Sequence, residues 1–402
     1  MELGGVQGTS DDAAVSKLSA CLLGYYEDDF MRIFVGKETR RSPLINRGYF
    51  ARVAAMDMII ERFMEATASG QRQIVVLGAG SDTTYFRLRK RGFLPDLYVE
   101  MDLEGVVAKK LDVIRHYEHV QEALGVTAGD VDAALASPPS ARLLRSKNYV
   151  LTCADVRQPE LFETVLSSLE GFDFSAPTLF ISECVLCYVE PRDSEQFLRW
   201  ALGKFPHAAF TSYEQILPDD AFGRTMLGHF ESRGCPLLAI KSFPDIQAQT
   251  RRFETMGWPQ VEVFDMNDVY YKCIPRSQVR HAERIEIFDE FEEWHMMQAH
   301  YCVILTSRSQ DNRLEGLRLL KPEVQKESQD QIKIKSTGSG DQQPDGENKP
   351  TSADLVAPLE GATRPIPFPM PATSTSSDAP ANPPMIPSAA PSSPQENSAS
   401  SE

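Results

Sequence analysis

The stretch Gln73-Ile74-Val75-Val76-Leu77-Gly78-Ala79-Gly80-Ser81-Asp82-Thr83-Thr84 decides the fold. A run of β-branched and apolar residues climbs to a Gly-Ala-Gly bend, and polar residues then open onto Tyr85-Phe86-Arg87-Leu88. That order predicts a fully buried strand, a tight turn and the start of a helix. Glycine allows positive φ and lets a ligand come close, because no Cβ stands in the way. The free N–H groups of a helix start favour polar or anionic ligand atoms. A tight turn between strand and helix needs glycine with or without a ligand, so Gly-x-Gly alone does not establish a site.

Downstream, the pattern repeats. Leu97 to Asp102, Asn148 to Asp155 and Thr178 to Glu183 each read as a short strand ending in an acid, and Ala208 to Glu214 as a fifth strand. Helical stretches separate them, notably Ser194 to Phe205 and Asp245 to Met256. Strands alternating with helices call for right-handed crossovers and a mostly parallel sheet covered on both faces. Val261 to Met266 and Tyr301 to Thr306 supply candidates for an antiparallel edge, with an acidic helix over Ile285 to Gln298 between them. Upstream, helical apolar spacing over Ala13 to Val35 predicts one or two short helices, and a long helix runs from about Ile45 to Thr67.

In such sheets ligands bind outside the carboxyl ends of the strands. Here four consecutive strands end at Gly78, Asp102, Asp155 and Glu183. Asp102 follows Gly80 by about 20 residues, the spacing at which an acid accepts hydrogen bonds from ribose hydroxyls. A single acid at a strand end is readily a helix cap or a surface charge; four polar strand ends on one rim favour a nucleoside-containing cofactor. A dinucleotide site would carry a third glycine where this chain has Thr83. Its replacement, together with the extra carboxylates, suits S-adenosylmethionine, a sulfonium cation without phosphate.

The chain has 402 residues and a formal charge of −16. Beyond Ser309 it holds none of the seven Cys, three Trp or 12 Tyr but 14 of the 27 Pro. The expected division is a flexible segment over 1–12, a folded domain over 13–308, and a disordered Pro/Ser-rich tail over 309–402. No apolar run approaches the roughly 20 residues that span a bilayer, and no secretory leader is visible. Seven scattered cysteines fit reduced thiols in the cytoplasm, or in the nucleus or mitochondria. The acidic balance gives no basic stripe for non-specific nucleic-acid binding. No metal site is expected. Cys184 and Cys187 lie at a strand end where i and i+3 face apart, and His295 and His300 lack the His-Glu-x-x-His spacing.

Asn46-Arg47-Gly48-Tyr49-Phe50-Ala51-Arg52, the Gly78-to-Thr84 turn, Ser182-Glu183-Cys184-Val185-Leu186-Cys187-Tyr188 and Tyr213-Glu214-Gln215 together resemble the leucine carboxyl methyltransferase family. The resemblance implies a Rossmann-like class I methyltransferase that uses S-adenosylmethionine to methylate a carboxylate. It also implies cofactor contacts at Lys17, Arg52, Gly78, Asp102, Asp155, Val156 and Glu183. Residue chemistry agrees for most of these. Asp102 would take the ribose and Asp155 the adenine edge, while Arg52 offers a planar fork for a carboxylate. An ionised carboxylate is nucleophilic at neutral pH, so alignment and water exclusion should carry catalysis, with Arg52 and Tyr188 as the candidate catalytic pair.

The family has two main eukaryotic branches. One methylates the C-terminal leucine of the type 2A phosphatase catalytic subunit. The other is the wybutosine-synthesis branch, which acts on phenylalanine tRNA carrying a wybutosine precursor; its methyltransferase domain is followed by a kelch propeller, and a methoxycarbonyl transfer is implied as a second step. Asp220-Ala221-Phe222-Gly223, Phe243 to Gln249, Asp265-Met266-Asn267, Phe288 to His295 and Ala299-His300-Tyr301 resemble the tRNA branch more closely. Asp82-Thr83-Thr84 is nearer the phosphatase branch, and no kelch repeat follows Ser309. The expectation is the tRNA enzyme in a truncated, variant or sister form, with the phosphatase enzyme as the alternative.

Overall fold

The computed structural model describes residues 3–320. Its centre is an eight-stranded sheet of β1 (Gln73–Leu77), β2 (Leu97–Asp102), β3 (Leu143–Arg145), β4 (Tyr149–Cys153), β5 (Thr178–Glu183), β6 (His207–Gln215), β7 (Gln260–Asp265) and β8 (Tyr301–Ser309). The spatial order is β3-β4-β2-β1-β5-β6-β8-β7. β4, β2, β1, β5 and β6 run parallel, whereas β3, β8 and β7 are antiparallel to their neighbours. The chain reverses direction across the sheet beside β1, and such a switch point opens a crevice at the carboxyl ends. The antiparallel edge expected from the sequence forms; the short β3 was not foreseen.

The helices are α1 (Leu3–Leu22), α2 (Met31–Phe34), α3 (Pro43–Ala66), α4 (Thr84–Arg91), α5 (Glu104–His116), α6 (Glu118–Leu124) and α7 (Ala128–Ala136), then α8 (Pro159–Ser168), α9 (Pro191–Lys204), α10 (Ala221–Ser232), α11 (Ile246–Met256), α12 (Met266–Asp268), α13 (Arg276–Ala282) and α14 (Phe291–Ala299). Alternation along β1 sends Ile74 and Val76 into a core shared with α3 to α7, and Val75 and Leu77 into one shared with α8, α9 and α11. Each such fully buried aliphatic side chain contributes roughly 1.5–3 kcal/mol. α3 begins where Ser42 is extended and Pro43 supplies a preset φ at the first helical position. It then buries Phe50, Ala51, Ile59, Ile60 and Phe63, which fixes the rotation that brings Arg52 to the sheet rim.

Three boundaries depart from the sequence reading. Residues 3–12, expected to be flexible, belong to α1, and contacts beyond the helix fasten them: Asp12 pairs with Arg233 and Asp11 with Lys109. The folded part does not stop at 308, because Leu314, Leu317 and Leu319 are buried in the core and the Leu319 N–H donates to Glu262. The rest of the expected tail, 321–402, lies outside the described residues. The acidic helix expected over Ile285 to Gln298 forms only from Phe291 on, as α14, after an irregular segment. There Glu286 turns inward to accept hydrogen bonds from Tyr25, Arg40 and Asn46, which competes with helical geometry. Among the described residues no helix is long and apolar enough to cross a membrane.

Candidate active site

The Gly-Ala-Gly bend sits at the carboxyl end of β1. Gly78 and Gly80 have φ of +68° and +51°, a region in which side chains are strained. A Cβ on Gly78 would come 2.5 Å from Val185 Cγ2, and one on Gly80 would meet Ser10 of α1. The bend is tied down by Gly78 N–H and Ala79 N–H donating to Met101 O, and by Lys110 Nζ donating to Asp82 O at 2.8 Å. Asp82 then starts α4 by accepting from Thr84 N at 2.9 Å.

Asp102 lies at the end of β2. Its Oδ2 accepts from Gly80 N at 2.7 Å and its Oδ1 from Leu103 N at 2.7 Å. Burial raises its pKa, and the two backbone bonds oppose that rise. The carboxylate holds the glycine bend and keeps further lone pairs, since each oxygen accepts more than one bond.

On the β5 side, Glu183 Oε2 takes Arg52 Nε at 2.6 Å and Lys17 Nζ at 3.4 Å, and Lys17 reaches Asp82 Oδ2 at 3.6 Å. Two cations and two carboxylates from four separate elements thus meet at one point. Burial pushes the two acids up, but the neighbouring cations outweigh it: Glu183 is held below its usual value, and Asp82, with Lys17, Arg87 and Lys110 around it, at about 2. Arg52 also stacks over Tyr213, 4.7 Å from the ring centroid, and Tyr213 stacks on Tyr301. Its guanidinium spends only Nε on Glu183, which leaves the planar Nη edge for a second carboxylate.

The structure brings Lys17, Arg52, Gly78, Asp102 and Glu183 to this rim. Asp155 follows β4 and is held by Arg157, whose Nη2 lies 2.6 Å from its Oδ2; burial works against its ionisation, but these bonds keep its pKa below the ordinary value. The adjacent Val156 is buried in the second core. Tyr188 ends a short 3-10 turn, Leu186–Tyr188, and packs edge-on against Phe230 of α10, with Thr9 of α1 also bonded to it. Sequence reasoning missed Asp82 as a partner of Lys17, Ser10 as the neighbour of Gly80, and the unusual backbone at Cys184, where φ is +55°. Asp82 was visible within the glycine stretch itself. The Cys184 conformation has no sequence signature; it costs on the order of 1 kcal/mol or more and is held by its surroundings.

The donors and acceptors fit an S-adenosyl nucleoside. Lys17, Arg52, Asp82 and Glu183 offer complementary charges to an amino-acid end, Asp102 offers acceptors to ribose hydroxyls, and Asp155 with Val156 offers a polar and an apolar edge to a base. Among the described residues no group of three or more His, Cys, Asp or Glu is arranged to hold a metal ion.

Residues 15–202 match the family model for leucine carboxyl methyltransferase. A leucine carboxyl methyltransferase 1 homolog from Arabidopsis thaliana is 44% identical over 299 residues, covering 74% of this chain and 87% of that protein. The chain belongs to the leucine carboxyl methyltransferase family. Its members here include human tRNA wybutosine-synthesizing protein 4, 39% identical over 310 residues, and rat leucine carboxyl methyltransferase 1, 33% identical over 309 residues. The match covers 76% of this chain in both cases, but 44% of the human protein against 90% of the rat one. Among solved structures, a magnesium protoporphyrin IX methyltransferase from Synechocystis aligns over 70% of this chain and 93% of its own, with a TM-score of 0.36 and 10% identity. Family membership makes the chain an S-adenosylmethionine-dependent carboxyl methyltransferase with a Rossmann-like sheet.

Proposed function

We propose that the acceptor is the C-terminal carboxylate of a protein, with the terminal leucine of the type 2A phosphatase catalytic subunit as first candidate. The observation that carries this reading is the charge pattern around the rim. Five of its cations are already matched: Lys17 by Asp82 and Glu183, Arg52 by Glu183, Arg157 by Asp155, Arg233 by Asp12 and Lys109 by Asp11. On a chain of net charge −16 this leaves little to attract a polyanion, whereas one carboxylate needs only the open edge of Arg52. The 44% identity with the Arabidopsis leucine carboxyl methyltransferase 1 homolog supports the same reading.

The motifs that resemble the tRNA branch are largely scaffold. Asp220, Asp245 and Asp265 cap α10, α11 and α12. His300 lies 3.0 Å from Asp220, Arg47 stacks 3.8 Å above Phe288, and Trp294 is buried. Such residues support a fold common to both branches and do not select an acceptor.

When bound, S-adenosylmethionine supplies an electrophilic methyl group on sulfur. In this reading Lys17, Asp82 and Glu183, the last held in place by Arg52, bind its amino-acid end, Asp102 its ribose, and Asp155 and Val156 its base. The Arg52 edge and Tyr188 orient the acceptor carboxylate, which is ionised at neutral pH and needs no general base. α1, laid over Gly80 and Tyr188, keeps water out. All seven cysteines are free thiols, which suits a reducing compartment, the cytoplasm first.

Purified chain with labelled cofactor should methylate a peptide ending in the phosphatase tail and leave the peptide without its last leucine unlabelled. The second reading, tRNA methylation, is favoured by the 39% identity with the human wybutosine protein. Label appearing only in phenylalanine tRNA from cells blocked at the preceding step would establish it and overturn the first.

A further inference from the structure

Glu100 of β2 and Lys110 of α5 form an ion pair inside the protein, and no step above uses it. Glu100 is 0% exposed and Lys110 3%. Lys110 Nζ lies 2.5 Å from Glu100 Oε2, which also accepts from Tyr149 Oη of β4 at 2.7 Å. Phe34 of α2 closes another side, its ring centroid 5.6 Å from Nζ. Taking two charges out of water is expensive, and an apolar pair of similar volume is often at least as stable. Stability alone is therefore a weak reason for a cation at this place. The cation has a second partner: Nζ donates to Asp82 O at 2.8 Å.

Glu100 and Asp102 are two residues apart on β2 and so share one face of the strand. Through them β2 holds both ends of the glycine bend. Asp102 Oδ2 accepts from Gly80 N at 2.7 Å, and Glu100 steers Lys110 onto the carbonyl of Asp82. The turn closes between these points, where Asp82 N donates to Ala79 O at 2.9 Å. Asp82 then directs its carboxylate towards the rim. Its Oδ1 accepts from Thr84 N at 2.9 Å, its Oδ2 lies 3.6 Å from Lys17 Nζ, and Lys17 reaches Glu183 at 3.4 Å.

We propose that Lys110 is a positioning residue for cofactor binding: anchored by Glu100, it clamps the Asp82 carbonyl and so aims the Asp82 carboxylate at Lys17 and at the cofactor's amino-acid end. It acts through Asp82 and not by a contact of its own. Against burial, its charge joins those of Lys17 and Arg87 in keeping Asp82 ionised. The inference rests on the assignment of this rim as the cofactor site.

The test uses two variants. Lys110→Met removes the donor and the charge and leaves Glu100 buried without its cation. Glu100→Gln/Lys110→Met removes both charges, so a Lys110 that only neutralises Glu100 predicts recovery in the double variant. The clamp predicts none. Calorimetry with S-adenosylhomocysteine, run well below each Tm, should give affinity about 10- to 30-fold weaker in both variants, the loss of one charge-assisted bond. In turnover the cofactor KM should rise by a similar factor, while KM for the methyl acceptor stays within about twofold of wild type. Wild-type cofactor affinity in the double variant, or equal rises in the two KM values, overturns the proposal. If the single variant does not fold, the double variant, with no unpaired charge left inside, decides alone. Calorimetry on Asp102→Ala is run alongside. Unchanged affinity there removes the site assignment itself; weakened affinity there with wild-type affinity in the double variant overturns the role of Lys110 alone.

Discussion

Asp102→Ala tests the site most directly, because the structure gives this side chain two jobs. It accepts from Gly80 N and Leu103 N, both at 2.7 Å, and it is the ribose acceptor in the proposed cofactor site. Deleting the carboxylate strands two partly buried N–H groups at roughly 1–1.5 kcal/mol each, partly offset by removal of a charge that burial disfavours. A net loss of about 2 kcal/mol lowers Tm by roughly 3–5 °C for a domain of this size. Loss of charge-assisted bonds to ribose removes a further ~3 kcal/mol from cofactor binding, about 100-fold in Kd. A strand-end acid without these backbone bonds would lose the affinity but not the stability. Calorimetry with S-adenosylhomocysteine and thermal unfolding of the ligand-free protein separate the two. An unchanged Kd refutes the ribose role, and an unchanged Tm refutes the tethering of the glycine bend. Asp102→Asn, which keeps one acceptor oxygen, should fall between.

Other substitutions probe the neighbouring contacts. Arg52→Lys replaces a planar fork on Glu183 and Tyr213 by a point charge, and kcat/KM should fall about 10- to 100-fold in the methylation assay. Gly78→Ala places a Cβ 2.5 Å from Val185 Cγ2 at φ +68°; titration should show cofactor affinity at least tenfold weaker, with Tm lower by a few degrees on the scale of ~1–2 kcal/mol. Gly223→Ala drives a Cβ into the backbone of Leu217 and Pro218 and should cost about 3 kcal/mol or more in denaturant unfolding. Asp82 is held at about 2 from an ordinary 3.8, so its ionised form stabilises the fold above the higher value, and that contribution is lost as pH falls through the lower. The stability gap between wild type and Asp82→Asn, on the order of 2 kcal/mol near pH 6, should narrow below pH 4 and close towards pH 2 in denaturant titrations.

The amino-acid sequence by itself determined the strand, glycine bend and helix at residues 73–88, and the acids ending three further strands. These features are legible because a buried strand, a positive φ and a polar strand end each restrict residue type locally. Helix α3 and its Arg52 were legible for the same reason, through apolar spacing that sets one face inward. Only the tertiary structure decided that Lys17, Arg52, Asp82 and Glu183 form one charge cluster, since its members are brought from α1, α3, the glycine bend and β5 by packing. Folding likewise turned residues 3–12 into a helix over Gly80 and Tyr188. Apolar periodicity records which face of an element is buried. It does not record which element lies opposite, and every long-range contact at this rim depends on that.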